Sequence, residues 1–376
     1  MKPAKNIILA ICMFFSFMLT GCYNYKDINK VVFATSILID LKDSGNIIVY
    51  ADTIKPFRDA GDSSEKGRRS IYKGEGKSLF EAIRNMNLSS SFAINYSQNK
   101  AVIFSEKAAK EGIGQYVDFL NRDQELNVRT YLFVYSGEVE KLMEIAANSE
   151  EYLGSFLNEI VTKLQASPRT VHLSLNDYLI ARDLGSGIAL ITALKVEKEV
   201  IDDKIHLVGG AVMQGDKMVD KLELGEALSY NLLSNKLKRG TLEVRNPQDE
   251  SKIVTLEIVN GRTKTDVEVS GENVKLIKRI KLRTSVGEVQ GSLALTKDNL
   301  KLLESSAEEN IQKYAQIIFK DYHEKGLDIF NIARELQMKY PKLSLKEPYK
   351  NAELVVYPDV YIEGSSTIDN AIEVTR

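Results

Sequence analysis

Residues Lys100 to Glu106 read KAVIFSE and residues Val128 to Tyr135 read VRTYLFVY. The first is a short continuous apolar run of the kind a buried strand shows, and the second is rich in the β-branched and aromatic residues that strands favour. Between them, Ala108 to Leu120 reads as a helix. Strand, helix and strand in succession predict a mixed sheet with helices packed on it, an α/β or α+β arrangement. Upstream, Lys30 to Asp40 (KVVFATSILID) and Asn46 to Thr53 (NIIVYADT) flank the turn Lys42-Asp43-Ser44-Gly45 and predict a hairpin. Pro56 to Ser70 has almost no apolar residues and reads as a mobile surface loop. A helix over about 79–90 follows, with Ser78 and Glu81 spaced as a capping box and Leu79, Ile83 and Met86 on one face. Further helical patterns cover 138–147, 152–166 and 175–184, the last with Ser174 as its N-cap.

Working toward the C-terminus, Ile188 to Leu194 and His206 to Met213 bracket the charged segment Lys195 to Lys204 (KVEKEVIDDK), the candidate linker, whose Val/Ile spacing would equally suit an edge strand. From residue 205 the runs at 205–213, 217–222, 240–246, 252–260, 264–270, 274–283 and 287–295 are strand-like. Several are joined by Gly-Asp, Asn-Gly or Gly-Glu turns, a spacing that demands antiparallel pairing. A long helix, Lys297 to Lys325, places Leu300, Leu303, Ile311, Tyr314, Ile318 and Tyr322 at helical spacing and stops at Gly326. A short helix (328–338), a break at Pro341 and a strand from Ala352 to Glu363 close the chain. The expected fold is α+β and multidomain, with mixed sheets packed by helices and an antiparallel-rich second half carrying the long helix. Residues 31–195 form an N-terminal α/β region that could itself divide in two, and residues 205–370 a C-terminal α+β domain.

A chain of 376 residues exceeds what one hydrophobic core usually holds. Its 44% hydrophobic and 27% charged residues are those of packed globular domains. The net charge of −2, from 50 basic and 52 acidic residues, supplies no overall basic field, so nucleic acid is not expected as a partner. Three histidines and two cysteines, Cys12 and Cys22, leave few soft metal ligands and at most one intrachain disulfide.

The first residues carry a processing signal. Lys2 and Lys5 precede an apolar run from Ile7 to Leu19, too short to span a bilayer, which then reaches Leu19-Thr20-Gly21-Cys22. Small residues before a cysteine at the end of such a run look like a bacterial lipobox. Residues 1–21 would then be a lipoprotein signal peptide, Cys22 the lipidated residue and residues 22–30 the tether to the membrane. The competing reading makes Cys22 incidental. Removing Lys2 and Lys5 leaves 48 basic against 52 acidic residues and Cys22 as the sole cysteine. Two acyl chains on its thioether suffice for stable anchoring.

Recognisable chemistry is sparse. Gly76-Lys77-Ser78 resembles the tail of a phosphate-binding loop, but the full motif needs glycine at position 71, where Ile71 stands. A glycine turn into a capped helix explains the same residues. His172, His206 and His323 lie in separate elements, and there is no His-Glu-x-x-His and no Gly-x-Ser-x-Gly. A carboxylate pair assembled in three dimensions stays open. No catalytic residue, metal site or cofactor is assigned.

Several segments together resemble the C-subunit lipoproteins of bacterial spore germinant receptors. They are Gly21-Cys22-Tyr23-Asn24-Tyr25-Lys26-Asp27-Ile28, Gly74 to Arg84, Asn99 to Glu106 with Gly112, and Arg122-Asp123. In the second half they are Gly209 to Val219 with Glu226, Leu327-Asp328-Ile329-Phe330, Lys339-Tyr340-Pro341 and Val355 to Val360. Their order along the chain is the specific feature. The departure falls at Leu343 to Tyr349, where such proteins carry tryptophans and this chain has none. The resemblance implies a non-enzymatic subunit required for spore germination, anchored on the outer face of the spore inner membrane and working in receptor assembly or signalling. Its implied partners are an A-subunit and a transporter-like B-subunit; whether it binds a nutrient itself stays open. The alternative is a lipid-anchored solute-binding protein, which would need a ligand cleft between domains.

Overall fold

The computed structural model describes residues 30–56, 69–123, 125–149, 151–163, 169–343 and 345–363. The chain begins with β1 (Val31–Leu41), β2 (Ile47–Ile54) and β3 (Arg69–Gly76), an antiparallel ribbon in which Leu41 pairs with Ile47 and Ile54 with Arg69. Helix α1 (Leu79–Met86) and the short β4 (Ala93–Asn95) follow. Then come β5 (Ala101–Ser105), α2 (Glu106–Glu111), α3 (Gly114–Arg122) and β6 (Tyr131–Tyr135). Helices α4 (Val139–Asn148), α5 (Leu153–Lys163) and α6 (Leu175–Asp183) lead to β7 (Ile188–Lys198), β8 (Asp203–Gln214) and β9 (Lys217–Leu222). The strands form one sheet in the order β3-β2-β1-β5-β6-β7-β8-β9, with β4 also pairing β1. Its centre, β1-β5-β6-β7, is parallel and each edge is an antiparallel ribbon.

A parallel centre must be covered on both faces. Ile37, Val102, Phe104, Leu132 and Val134 point to one face and pack under α1, α2, α3 and α6. The alternate residues Leu38, Ile103, Phe133 and Tyr135 meet Leu142, Leu153 and Leu157 of α4 and α5 on the other. The KAVIFSE run is thus buried on both faces because helices lie on each.

Helix α7 (Leu224–Leu233) then crosses to a second sheet of β10 (Gly240–Asn246), β11 (Asp249–Ser270), β12 (Asn273–Val289) and β13 (Ala352–Ile362), in that order. Helix α8 (Lys297–Glu324) and α9 (Ile332–Lys339) precede β13. The ribbon β10-β11-β12 is antiparallel, and β13 joins β12 in parallel. The junction is apolar, since Ile188, Leu190 and Val212 of the first sheet share a core with α7, α8 and Leu256, Leu276 and Ile280 of the second. It is also pinned by the end of α7. Thr263 Oγ1 donates to the Leu232 carbonyl at 2.6 Å, and the Thr263 N–H donates to Asn235 Oδ1 at 2.8 Å.

Four expectations are corrected. The segment Lys195 to Lys204 is no linker: it is the outer half of the β7–β8 hairpin, with Lys195 opposite His206 and Glu197 opposite Lys204. Arg69 and Ser70, assigned to a loop, open β3, whose polar residues are tolerated at a sheet edge. Asn260-Gly261 makes no turn. It sits beside an irregularity within β11, and a Cβ on Gly261 would lie 3.1 Å from the Leu237 carbonyl, so glycine admits the chain leaving α7. The helix expected over 108–120 is two helices, broken at Gly112.

The outer edge of β13 is sealed by side chains. Gln316 Nε2 donates to the Leu354 carbonyl at 2.9 Å and Gln312 Nε2 to the Val356 carbonyl at 3.4 Å. Glu308 accepts from the Val360 N–H at 2.9 Å and Glu304 from the Ile362 N–H at 2.8 Å. Residues 304, 308, 312 and 316 follow one another at i,i+4 on α8, so a single helix stripe matches alternate residues of the strand. Pro358, two residues from both Val356 and Val360, turns its donor-less nitrogen to this same edge, where no ladder bond is lost. Replacing Glu304 and Glu308 with alanine is expected to speed amide exchange at Val360 and Ile362 and to cost about 1 kcal/mol per lost bond in urea unfolding. Unchanged exchange at both amides would remove the ladder from the account.

Glu106 bridges α2 to β9 through Lys221 at 2.9 Å and also meets Lys110 at 2.7 Å. Burial alone would raise this carboxyl, but hydrogen bonds from Lys110, Ser136 and Lys221 hold it at about 2. Its contribution is present above the unfolded value near 4.5 and is lost as pH falls toward 2. Glu106→Gln should therefore lower stability at neutral pH and flatten its decline over that window, read as Tm against pH.

Candidate functional site

Cys22 and the tether to Asn29 lie outside the described residues, and Lys30 enters β1 directly. Because β1, β5, β6 and β7 run parallel, their N-terminal ends mark one end of the sheet. Lys30, the first described residue, lies at that end. The β7–β8 hairpin tip occupies the opposite end, and there Val200 is 99% and Ile201 84% exposed. Behind them the hairpin carries a charge ladder. Lys195 pairs with Glu197 at 2.5 Å and Lys204 with Glu199 at 2.6 Å, and His206 lies 3.2 Å from Glu199 and 3.7 Å from Glu197. Val196 and Ile205 anchor the ladder's other face on the core under α4 and α5. A 790 Å³ cleft, lined by Lys141, Glu144, Phe156, Asp203 and Ile205 among others, separates the hairpin from those helices.

A buried ion pair fixes α4 and α5 to the β2–β3 edge. Asp52 on β2 is 1% exposed and receives Arg69 Nε at 2.8 Å and Nη2 at 3.1 Å, a two-pronged contact. It also accepts from the Leu153 N–H at 2.7 Å and from Thr35 Oγ1 at 3.2 Å. Arg69 in turn donates to the carbonyls of Ala146, Ser149 and Glu151, closing the turn between the helices. Arg69 lies in the stretch read as a loop, and no local sequence pattern marks its partner seventeen residues earlier.

The residues that carry the resemblance turn out to be packing and capping groups. Ser78 caps α1 by accepting from the Glu81 N–H at 3.2 Å, while the Glu81 carboxylate accepts from the Lys77 N–H rather than from Ser78 itself. Gly74 and Gly76 are glycine because a Cβ would come within 2.0 Å of the Ala82 carbonyl and 2.7 Å of the Ala82 nitrogen. Their backbone is spent on strand–helix contact, which disposes of the phosphate-loop resemblance. Asp216, in the β8–β9 turn, accepts Tyr178 Oη at 3.2 Å, while its own carbonyl receives the Ile113 N–H at 2.8 Å, beside Gly112. Asp328 accepts from the Ile332 and Ala333 N–H groups at 2.7 and 3.0 Å and so caps α9. Phe330 stacks on Phe319, and Lys339 bonds Asp266 at 2.6 Å.

The three histidines stay apart. His172 meets the Tyr131 ring edge, His206 sits on the hairpin, and His323 stacks on Phe319 with Nε2 3.0 Å from the Lys350 carbonyl. Among the described residues, no three His, Cys, Asp or Glu side chains converge as a metal site would need, and no helix is long and apolar enough to cross a membrane.

Residues 24–196 match the family described as spore germination protein N-terminal domain, and residues 208–366 the one described as spore germination B3/GerAC like, C-terminal. The chain is 21% identical over 358 residues to spore germination protein GerQC of Bacillus cereus, covering 94% of this chain and 97% of that protein. To spore germination protein B3 of Bacillus subtilis it is 22% identical over 367 residues, 91% of each chain. The crystal structure of the GerBC protein shares the fold, with a TM-score of 0.57 at 15% identity over 87% of this chain and 96% of that one.

Three mutational outcomes follow from this geometry. Asp52→Ala strands Arg69 in a largely buried site and should cost about 3–5 kcal/mol in urea unfolding. The Asp52→Ala/Arg69→Met pair should cost less than the sum of the singles, and strict additivity would deny the coupling. Val200→Ser/Ile201→Ser should leave stability within about 0.5 kcal/mol, because neither side chain packs on anything.

Proposed function

The chain belongs to the GerAC-like family of spore germination proteins, and on that premise we propose that it is a non-enzymatic, lipid-anchored subunit of a nutrient germinant receptor, acting in receptor assembly or signalling. The observation that carries this reading is the tandem match of both family domains beginning two residues after Cys22. Its partners would be the A-subunit and the transporter-like B-subunit, and its place the outer face of the spore inner membrane.

Geometry gives the anchor a mechanical meaning. Seven residues, Tyr23 to Asn29, span at most about 24 Å when extended, so lipid at Cys22 would hold the Lys30 end of the first sheet near the headgroups. The 11 residues of β1 extend about 36 Å, which carries the Val200–Ile201 tip away from the bilayer. Two exposed apolar side chains on a braced hairpin support a contact there with another receptor subunit. Anchoring would also raise the effective concentration of the chain beside its membrane partners.

Intact mass and membrane fractionation of wild type and Cys22→Ala from a spore-forming Gram-positive host test the anchor. Diacylglycerol on Cys22, with a soluble or unprocessed variant that keeps its Tm, is the expected result. A freely secreted, unmodified wild type would overturn it. For the contact, Val200→Ser/Ile201→Ser should reduce co-purification with the receptor subunits and leave the membrane-bound fraction unchanged.

A further inference from the structure

A cavity of 400 Å³ opens between the two sheets, walled by α6 and the start of β7 on one side and by the end of α7, β11, β12 and α9 on the other. Lys278 of β12 lines it and is 3% exposed. Among the described residues, the one hydrogen bond its ammonium donates is to Thr265 Oγ1, at 2.8 Å, which leaves two of three N–H donors without a partner. Lys236 and Arg334 line the same cavity from α7's end and α9, so three cations from three elements face it. Asp177 and Glu335 are the carboxylates in its wall, and Tyr230, Phe330, Ile180 and Leu190 supply apolar surface.

A buried ammonium held by a hydroxyl alone is a costly arrangement unless an anion completes it. Burial pulls the Lys278 amine down to about 8, against the opposing influence of Glu335 and Asp328, which leaves it charged at neutral pH. Asp328 does not neutralise it at close range, because its two oxygens are committed to the N–H groups of Ile332 and Ala333. The same commitment removes α9's first donors from the cavity, so anion recognition falls to the side chains. Among the groups that line the cavity, three cations face two carboxylates, with Asp328 outside the lining and bonded to the α9 N–H groups, a balance that suits a singly charged anion and disfavours a doubly charged phosphate. The aromatic pair Tyr230 and Phe330, with ring centroids 6.3 Å apart, offers a wall for an apolar remainder.

We propose that this interdomain cavity binds a small organic molecule bearing one carboxylate, which Lys278 and Arg334 hold while its apolar part rests on Tyr230 and Phe330. Because both domains contribute to the wall, occupancy would tie the two sheets together. The inference is independent of the lipid anchor and of the receptor partners.

The full chain, purified in detergent, is titrated calorimetrically with sodium hydrocinnamate, with its neutral amide hydrocinnamamide, and with inorganic phosphate, each at ionic strength matched with sodium chloride. Saturable binding of hydrocinnamate and none of the amide is expected. Lys278→Met should weaken it about tenfold or more, the value of hydrogen bonds to a charged group. Methionine fills the same apolar volume, and Arg334→Gln, at a partly exposed position, gives a second variant should the first fail to fold; it too should bind more weakly. Phosphate binding in place of hydrocinnamate, equal binding of the amide, unchanged affinity in both variants or no saturable binding at all would each overturn the proposal.

Discussion

The parallel pairing of β1, β5, β6 and β7 is the constraint on which the first half of the molecule rests. Parallel strands cannot be joined by tight turns, so each crossover must travel over the sheet, and both faces become interior. That requirement explains why α1, α2, α3 and α6 collect on one face and α4 and α5 on the other. It also explains where polar groups go. Asp52 and Arg69 sit at the antiparallel edge, where a buried carboxylate can reach a guanidinium, a helix N-terminus and a threonine together.

The second half solves a different problem. Its antiparallel strands keep one face in the core and leave the other solvated, so the pattern alternates along β11 and β12. The difficulty lies at the β13 edge, which would present unpaired backbone groups to water and to other chains. A helical stripe of two glutamates and two glutamines meets them bond for bond. Helix α7 and Thr263 then couple this unit to the first sheet through a shared apolar core rather than a flexible linker.

This arrangement bears on how the family resemblance should be understood. The glycines of Gly74-Glu75-Gly76, Asp216 of the β8–β9 turn, Asp328 and Pro358 are each explained by a close approach, a cap or an edge. They specify how this chain packs. Function, on the reading advanced above, falls to surfaces and to the interdomain cavity, whose residues form no contiguous motif.

Much of the architecture was legible in sequence because it is local. The KAVIFSE and VRTYLFVY runs, the Ser78 and Ser174 caps, and the apolar face of the long helix depend on neighbours within a few residues, and the structure has these elements. Within α8, Tyr314 stays outside and Ala315 takes its place in the core, since the helix turns its polar stripe to β13. What the sequence could not decide is whatever depends on distant partners. The hairpin at Lys195 to Lys204 reads as a linker because its run of charges masks the Val196 and Ile205 face, which finds its packing only against distant helices. Arg69 reads as loop until Asp52 is beside it. Lys278 reads as one more polar residue in a strand until α9 and the first domain close over it. Periodicity reports which face of an element is apolar; only the tertiary structure says what covers that face, and burial is what turns an ordinary charge into a site.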